Sequence, residues 1–215
     1  MNNQIIASSS CQKDLGIIIS ENGLPGDQCR AAAKKANQVL EQINRSFTCY
    51  NKEVMLPIYK VFIRPHLEYG IAAWCPWLKK DIETLEKIQR RATRRMSDIR
   101  GSYPERLQQL DLTTLEERRS RGDAIETFKC LKVFLDIETK PLFTIDKNNQ
   151  QMTRHQKSHM PLIFPRAKLD LCQNSFCLRG AKLWNGLPSS VRDSTSINNF
   201  KNSYDKHIKR QKGQN

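Results

Sequence analysis

The 215 residues carry 36 Lys and Arg against 22 Asp and Glu, a formal net charge of +14. That length suits one large domain or two small ones, and 38% hydrophobic residues can build a core, which argues against full disorder. The longest uncharged apolar run, Ile71 to Leu78, is far short of the roughly 20 residues a membrane span needs. Residues 1–11 lack the basic-then-apolar order of a secretory signal. Seven cysteines, scattered singly except for Cys172 and Cys177, do not make a disulfide framework. Reduced thiols in an intracellular protein, nuclear or cytoplasmic and not secreted, are expected. The charge excess points to nucleic acid or an anionic membrane surface, and its distribution has to decide between them.

Residues 1–12 are polar and serine-rich and read as a disordered lead-in. Leu15 to Ile19 is a β-branched run closed by Asn22-Gly23 and Pro25, a strand followed by a turn. Asp27 is placed to cap a helix running to about Phe47, with Ala32, Ala36, Leu40, Ile43 and Phe47 on one face. Its other face carries Arg30, Lys34 and Lys35. A second helical stretch starts near Asn51, and Pro57 and Pro65 predict a kink or two pieces. Pro76-Trp77 ends the segment after it.

Residues 81–99 give the clearest pattern. At about 100° per residue, Ile82, Leu85, Ile88, Gln89, Ala92, Met96 and Ile99 share an arc of roughly 120°. Lys87, Arg90, Arg91, Arg94 and Arg95 fall on the opposite arc, and Glu83, Glu86 and Asp98 compensate only its ends. Gly101 is read as the stop of this helix. A short helix from Tyr103 follows, and Thr113 with Glu116 reads as a capping box for a helix through Leu135. Gly122 inside it marks either a close helix crossing or a weak point. From 138 to 175 periodicity fails and a long loop is expected. Order returns at Phe176 to Pro188, anchored by Leu178, Leu183, Trp184 and Leu187. Ser196 then caps a last short helix through Phe200, before a frayed basic tail.

No constellation for chemistry emerges. There is no Asp-Asp pair at a strand end for two-metal transfer, no phosphate-binding loop and no nucleophile elbow. His155 and His159 followed by Cys172 and Cys177 are the one metal-like arrangement, but the spacing matches no usual zinc pattern. Two solvated histidines and two thiols are the plainer reading. The arginine-rich arc is different, because clustered arginine with its compensating acids only at the ends suits phosphate contact.

Several strings taken in order resemble one family. Lys13-Asp14-Leu15-Gly16-Ile17, Tyr59 to Gly70 and Ala73-Trp74-Cys75-Pro76-Trp77 are similar to the end of a LINE-type retrotransposon reverse transcriptase of the jockey branch. So are Leu85 to Thr93, Arg121-Gly122-Asp123, Trp184-Asn185-Gly186-Leu187-Pro188 and Phe200-Lys201, and the likeness covers about residues 13 to 208. The resemblance implies a palm-end strand followed by the helical thumb and C-terminal extension of an RNA-directed DNA polymerase. It places the catalytic aspartates, and the Mg²⁺ they hold, in a palm upstream of these residues, so none here inherits a catalytic role. The expected fold is mainly α, with one short strand or hairpin ahead of a thumb-like bundle. Its expected layout is a lead-in and strand at 1–26, a thumb-like domain at 27–137, a linker at 138–175, an extension at 176–208 and a basic tail at 209–215. The implied partners are RNA, DNA or hybrid backbone and the parent's palm, with no membrane, cofactor or small-molecule substrate. A host-retained protein-interaction module built on the same helices is the alternative.

Overall fold

The computed structural model describes residues 9–132, 142–144, 161–163 and 166–213. Among these residues the fold is mainly α with one antiparallel hairpin, and the chain divides into two compact units, residues 1–118 and 119–215.

The first unit opens with strands β1 (Cys11–Asp14) and β2 (Ile17–Ser20), paired from Cys11 opposite Ser20 to Asp14 opposite Ile17. Leu15 and Gly16 form the turn, with φ of 45° and 83°. Positive φ at both central residues gives the primed turn whose twist matches a hairpin. Residues 11 and 12 are therefore strand rather than lead-in: β1 is polar and exposed, held by backbone pairing that no hydrophobic pattern announces. Gly70, at φ 62°, lies against the hairpin, and a Cβ there would sit 2.6 Å from Ile17 Cδ1.

Helix α1 (Gly26–Ser46) starts one residue before Asp27, with Pro25 at its N-cap. Asp27 does not cap it. Its carboxylate accepts from the Ser20 hydroxyl at 2.7 Å and from Arg30, and these bonds, the Ser20 bond first, hold its pKa below the ordinary value. Asn51 does cap α2 (Lys52–Ile58), its side chain accepting from Val54 N at 3.0 Å. The proline-bearing stretch falls into three pieces: α2, a π-helical turn at Tyr59–Ile63 and α3 (Arg64–Glu68). Pro65 has no N–H and would crowd the carbonyl four residues back, so the ladder slips by one residue and Arg64 N–H reaches Tyr59 O. Next come α4 (Ile71–Trp74), α5 (Lys79–Arg94), α6 (Tyr103–Gln109) and α7 (Leu115–Leu131), the last crossing the division between the units.

Helix α5 ends at Arg94, several residues short of Ile99, although Met96 and Ile99 stay buried beyond its end. Gly101 lies before α6, whose capping box joins Ser102 and Glu105. Helix α7 is capped by Thr114, whose hydroxyl accepts from Glu117 N at 3.2 Å, one residue later than the Thr113–Glu116 reading. Ala32, Ala33 and Ala36 let α1 approach α5 closely, and Leu40, Leu85, Ile88, Met55, Ile63 and Leu67 complete this unit's core.

The second unit contains most of α7, α8 (Asp170–Gln173), α9 (Phe176–Gly186), α10 (Ser189–Arg192) and α11 (Ile197–Gly213). Phe128 and Phe200 stack 4.4 Å apart, and Trp184, Leu187, Val191 and Tyr204 pack around them. Leu178, Trp184 and Leu187 are buried as expected, whereas Leu183 is half-buried. Much of the expected 138–175 loop lies outside the described residues. Within it, Phe143 and Leu162 are buried in this core, Leu162 exchanges two 2.9 Å hydrogen bonds with the Asn185 side chain, and residues 170–173 are helical. Ser196 caps α11 by accepting from Asn199 N at 3.1 Å. That helix runs to Gly213, well past Phe200, because Tyr204 and Ile208 continue its buried stripe, so residues 209–213 are helix rather than frayed tail. None of the seven cysteines is in a disulfide bond.

Candidate nucleic-acid interface

Helix α5 has three chemically distinct sides. Leu85, Ile88 and Ala92 enter the core. Glu86 and Gln89 are also buried, and they build a polar network instead. The Tyr59 hydroxyl donates to Gln89 Oε1 at 2.5 Å, while Gln89 Nε2 donates to the Tyr103 hydroxyl at 2.9 Å and to Thr113 O at 3.0 Å. The Tyr103 hydroxyl in turn donates to Glu86, which also accepts from Leu115 N at 3.1 Å. Burial, then the Glu86 carboxylate, raises the Tyr103 phenol far above its ordinary pKa. Burial likewise raises Tyr59. The network fixes the rotation of α5 about its axis and therefore the direction of its third side.

That third side carries the predicted cations. Lys87, Arg91, Arg94 and Arg95 are exposed and Arg90 is half-exposed. Arg90 is held by Glu83 through two bonds, one of 3.0 Å, with its guanidinium 5.0 Å from the Tyr103 ring centre. The Glu83 bond raises the Arg90 pKa, and the Arg90 bond lowers that of Glu83. Arg91 reaches across to α1, pairing with Glu41 and donating to Asn37 Oδ1 at 3.2 Å. Arg95 lies 5.8 Å over the Tyr50 ring. Arg94 makes no ion pair among the described residues. On α1, Lys34 and Lys35 are exposed and Arg30 pairs with Asp27. The α1–α5 pair thus brings both predicted clusters onto one rigid element, with Arg91 at the seam.

The acids are distributed otherwise than their spacing suggests. Of the three expected to balance the arginines, Glu86 is buried and Asp98 accepts from Lys52 N at 2.8 and 3.1 Å. Glu83 does pair on this face, two helical turns from Arg90 rather than one. Glu41, from another helix, was not legible as a partner.

No family model, curated protein or solved structure matches the chain.

His155 and His159 lie outside the described residues, Cys172 is exposed and Cys177 half-buried. Among the described residues no three His, Cys, Asp or Glu side chains converge as a metal site would need. What α1 and α5 offer chemically is charge: exposed Lys87, Arg94 and Arg95 at α5 and exposed Lys34 and Lys35 on α1, with Arg90 and Arg91 neutralised by acids.

Proposed function

We propose that this chain is the thumb and C-terminal part of a LINE-type non-LTR reverse transcriptase, and that its α1–α5 face grips template–primer backbone without reading sequence. The observation that carries the reading is the cationic side of α5, aimed away from the core by the Glu86–Gln89–Tyr59–Tyr103 network. Hybrids of A-form geometry offer phosphates and sugar hydroxyls more readily than base edges, so charge on a rigid helix suffices. In this reading the chain supplies grip rather than chemistry, with the catalytic carboxylates and Mg²⁺ in the parent's palm, and it works in the nucleus or cytoplasm. Leu15, Val61, Phe62 and Tyr69 are 82%, 62%, 56% and 59% exposed on the first unit. Apolar side chains left uncovered to that degree suit a protein neighbour, which here is the palm. They also favour the second reading, a host-retained module that binds another protein through these helices.

Titration of the purified chain against duplex, hybrid and single-stranded oligonucleotides at two salt concentrations separates the two. Backbone binding gives dissociation constants of about 10⁻⁴ to 10⁻⁶ M at physiological salt and weakens steeply as salt is added. The variant K87Q/R94Q/R95Q keeps its helix, since Gln is a good helix former, and weakens binding equally across sequences. Unchanged affinity in that variant refutes the grip and leaves the protein-interaction module.

A further inference from the structure

Helix α11 carries five Lys and Arg against one acid, Asp205. That acid is engaged: Arg121 Nε and Nη2 meet its two oxygens at 2.7 and 2.9 Å. With Phe200 at zero and about 100° per residue, Ile197, Tyr204 and Ile208 fall within roughly 80°. Phe200 and Tyr204 are buried in the second unit's core, and Ile197 and Ile208 pack against it. The opposite arc, about 120° wide, holds Lys206, Lys209 and Arg210 with Asn198, Asn199 and Asn202, and no acid. All six residues are exposed. The three cations form no ion pair among the described residues.

We propose that this outward arc of α11 is a second phosphate-binding surface for a nucleic-acid backbone, made of Lys206, Lys209 and Arg210 with the three asparagines as hydrogen-bond donors. Lysine and arginine supply the charge term, and asparagine amides bond phosphate and sugar oxygens as neutral side chains do in such interfaces. From Asn198 to Arg210 the arc extends about 18 Å, enough to face about five phosphates of one strand. An anionic bilayer would be met by a basic amphipathic helix that inserts its apolar face, but here Phe200 and Tyr204 are already 0% and 5% exposed within the core. Nucleic acid is therefore the favoured partner. The surface uses residues separate from α1 and α5, so it stands or falls independently of the grip proposed above.

The test uses the full chain and its K206Q/K209Q/R210Q variant, titrated against duplex and single-stranded oligonucleotides over a series of salt concentrations. The expected result is weaker binding and a log–log salt slope reduced by about two to three units on duplex. An unchanged slope, with helix content retained, overturns the proposal. If the triple variant loses helix content, N198E/N202E keeps every cation and places acid on the same arc. Weakened binding supports the surface and unchanged binding overturns it. Phosphatidylserine vesicles form the other arm: vesicle binding lost in the triple variant while oligonucleotide binding persists overturns the nucleic-acid assignment. K87Q/R94Q/R95Q, run in parallel, tells which surface has failed, since each variant should leave the other's share of the slope intact.

Discussion

Gln89 lies at the centre of the network that aims α5, and replacing it with Met tests whether that network holds. Methionine keeps the length and volume of the side chain, so no cavity opens and the change is confined to hydrogen bonding. The Tyr59 hydroxyl, in a residue 1% exposed, loses its acceptor at 2.5 Å, and Thr113 O loses its donor at 3.0 Å. Each buried polar group left unpaired costs about 1–3 kcal/mol, so with two stranded Q89M should destabilise the first unit by about 2–6 kcal/mol. Y59F in the Q89M background removes the stranded hydroxyl and should recover about 1–3 kcal/mol of that. Tryptophans 74 and 77 lie in the first unit and 184 in the second, so urea unfolding followed by tryptophan emission in a W184F background reports the first unit alone. Additivity of Q89M and Y59F to within about 0.5 kcal/mol, the behaviour of independent sites, would refute the network.

Three further outcomes follow from the fold. A Cβ added to Gly122 meets nothing within 4 Å, so G122A should raise the stability of α7 by about 0.5–1 kcal/mol, seen as a higher Tm. Gly180 is the opposite case: its added Cβ would sit 2.3 Å from Thr127 Oγ1 and 3.3 Å from the Phe143 ring, and G180A should cost about 1–3 kcal/mol by overpacking. The Ser102 backbone and hydroxyl hold Glu105 below its ordinary 4.5. That capping box therefore contributes stability above pH 4.5 that is lost as pH falls through the folded value, and E105Q should make the acid limb of the first unit's unfolding shallower.

The two long amphipathic helices were legible because their burial follows a 3.6-residue period that sequence displays directly. The cap at Ser196 was legible because cap chemistry is local. What escaped was fixed by partners distant in sequence. Strand β1 is polar, and its structure comes from the backbone of Ile17–Ser20. Gly122 and Gly180 look alike in a helical string, and only packing shows that the second meets Thr127. The full length of α11 had a signal, since Tyr204 and Ile208 follow Phe200 at intervals of four, but the lysines between them masked it. At the candidate interface the cationic arc was read correctly as an arc, whereas its net charge was not, because Glu41 reaches Arg91 from another helix and Glu86 turns inward.

That difference in net charge supplies a sharper test than removing arginines. Glu83 and Glu41 neutralise Arg90 and Arg91 at the surface, with the side chains 41% and 41% exposed in the first pair and 40% and 49% in the second. Exposed ion pairs contribute little to stability, so E83Q and E41Q should leave the fold intact while releasing one guanidinium each. Arg90 remains over Tyr103 and Arg91 remains at the α1–α5 seam, so both are already ordered for an incoming phosphate. If backbone phosphates meet this face, the double variant binds more tightly, and its salt slope steepens by about 0.7–0.9 for each added contact. E21Q changes net charge by the same amount per site but lies on the turn after β2, where it releases neither Arg90 nor Arg91, and it should shift affinity far less. A gain confined to the α5 pair locates the phosphates on α5. An equal gain from E21Q would show that only total charge matters, and the face would then be an ordinary solvated surface.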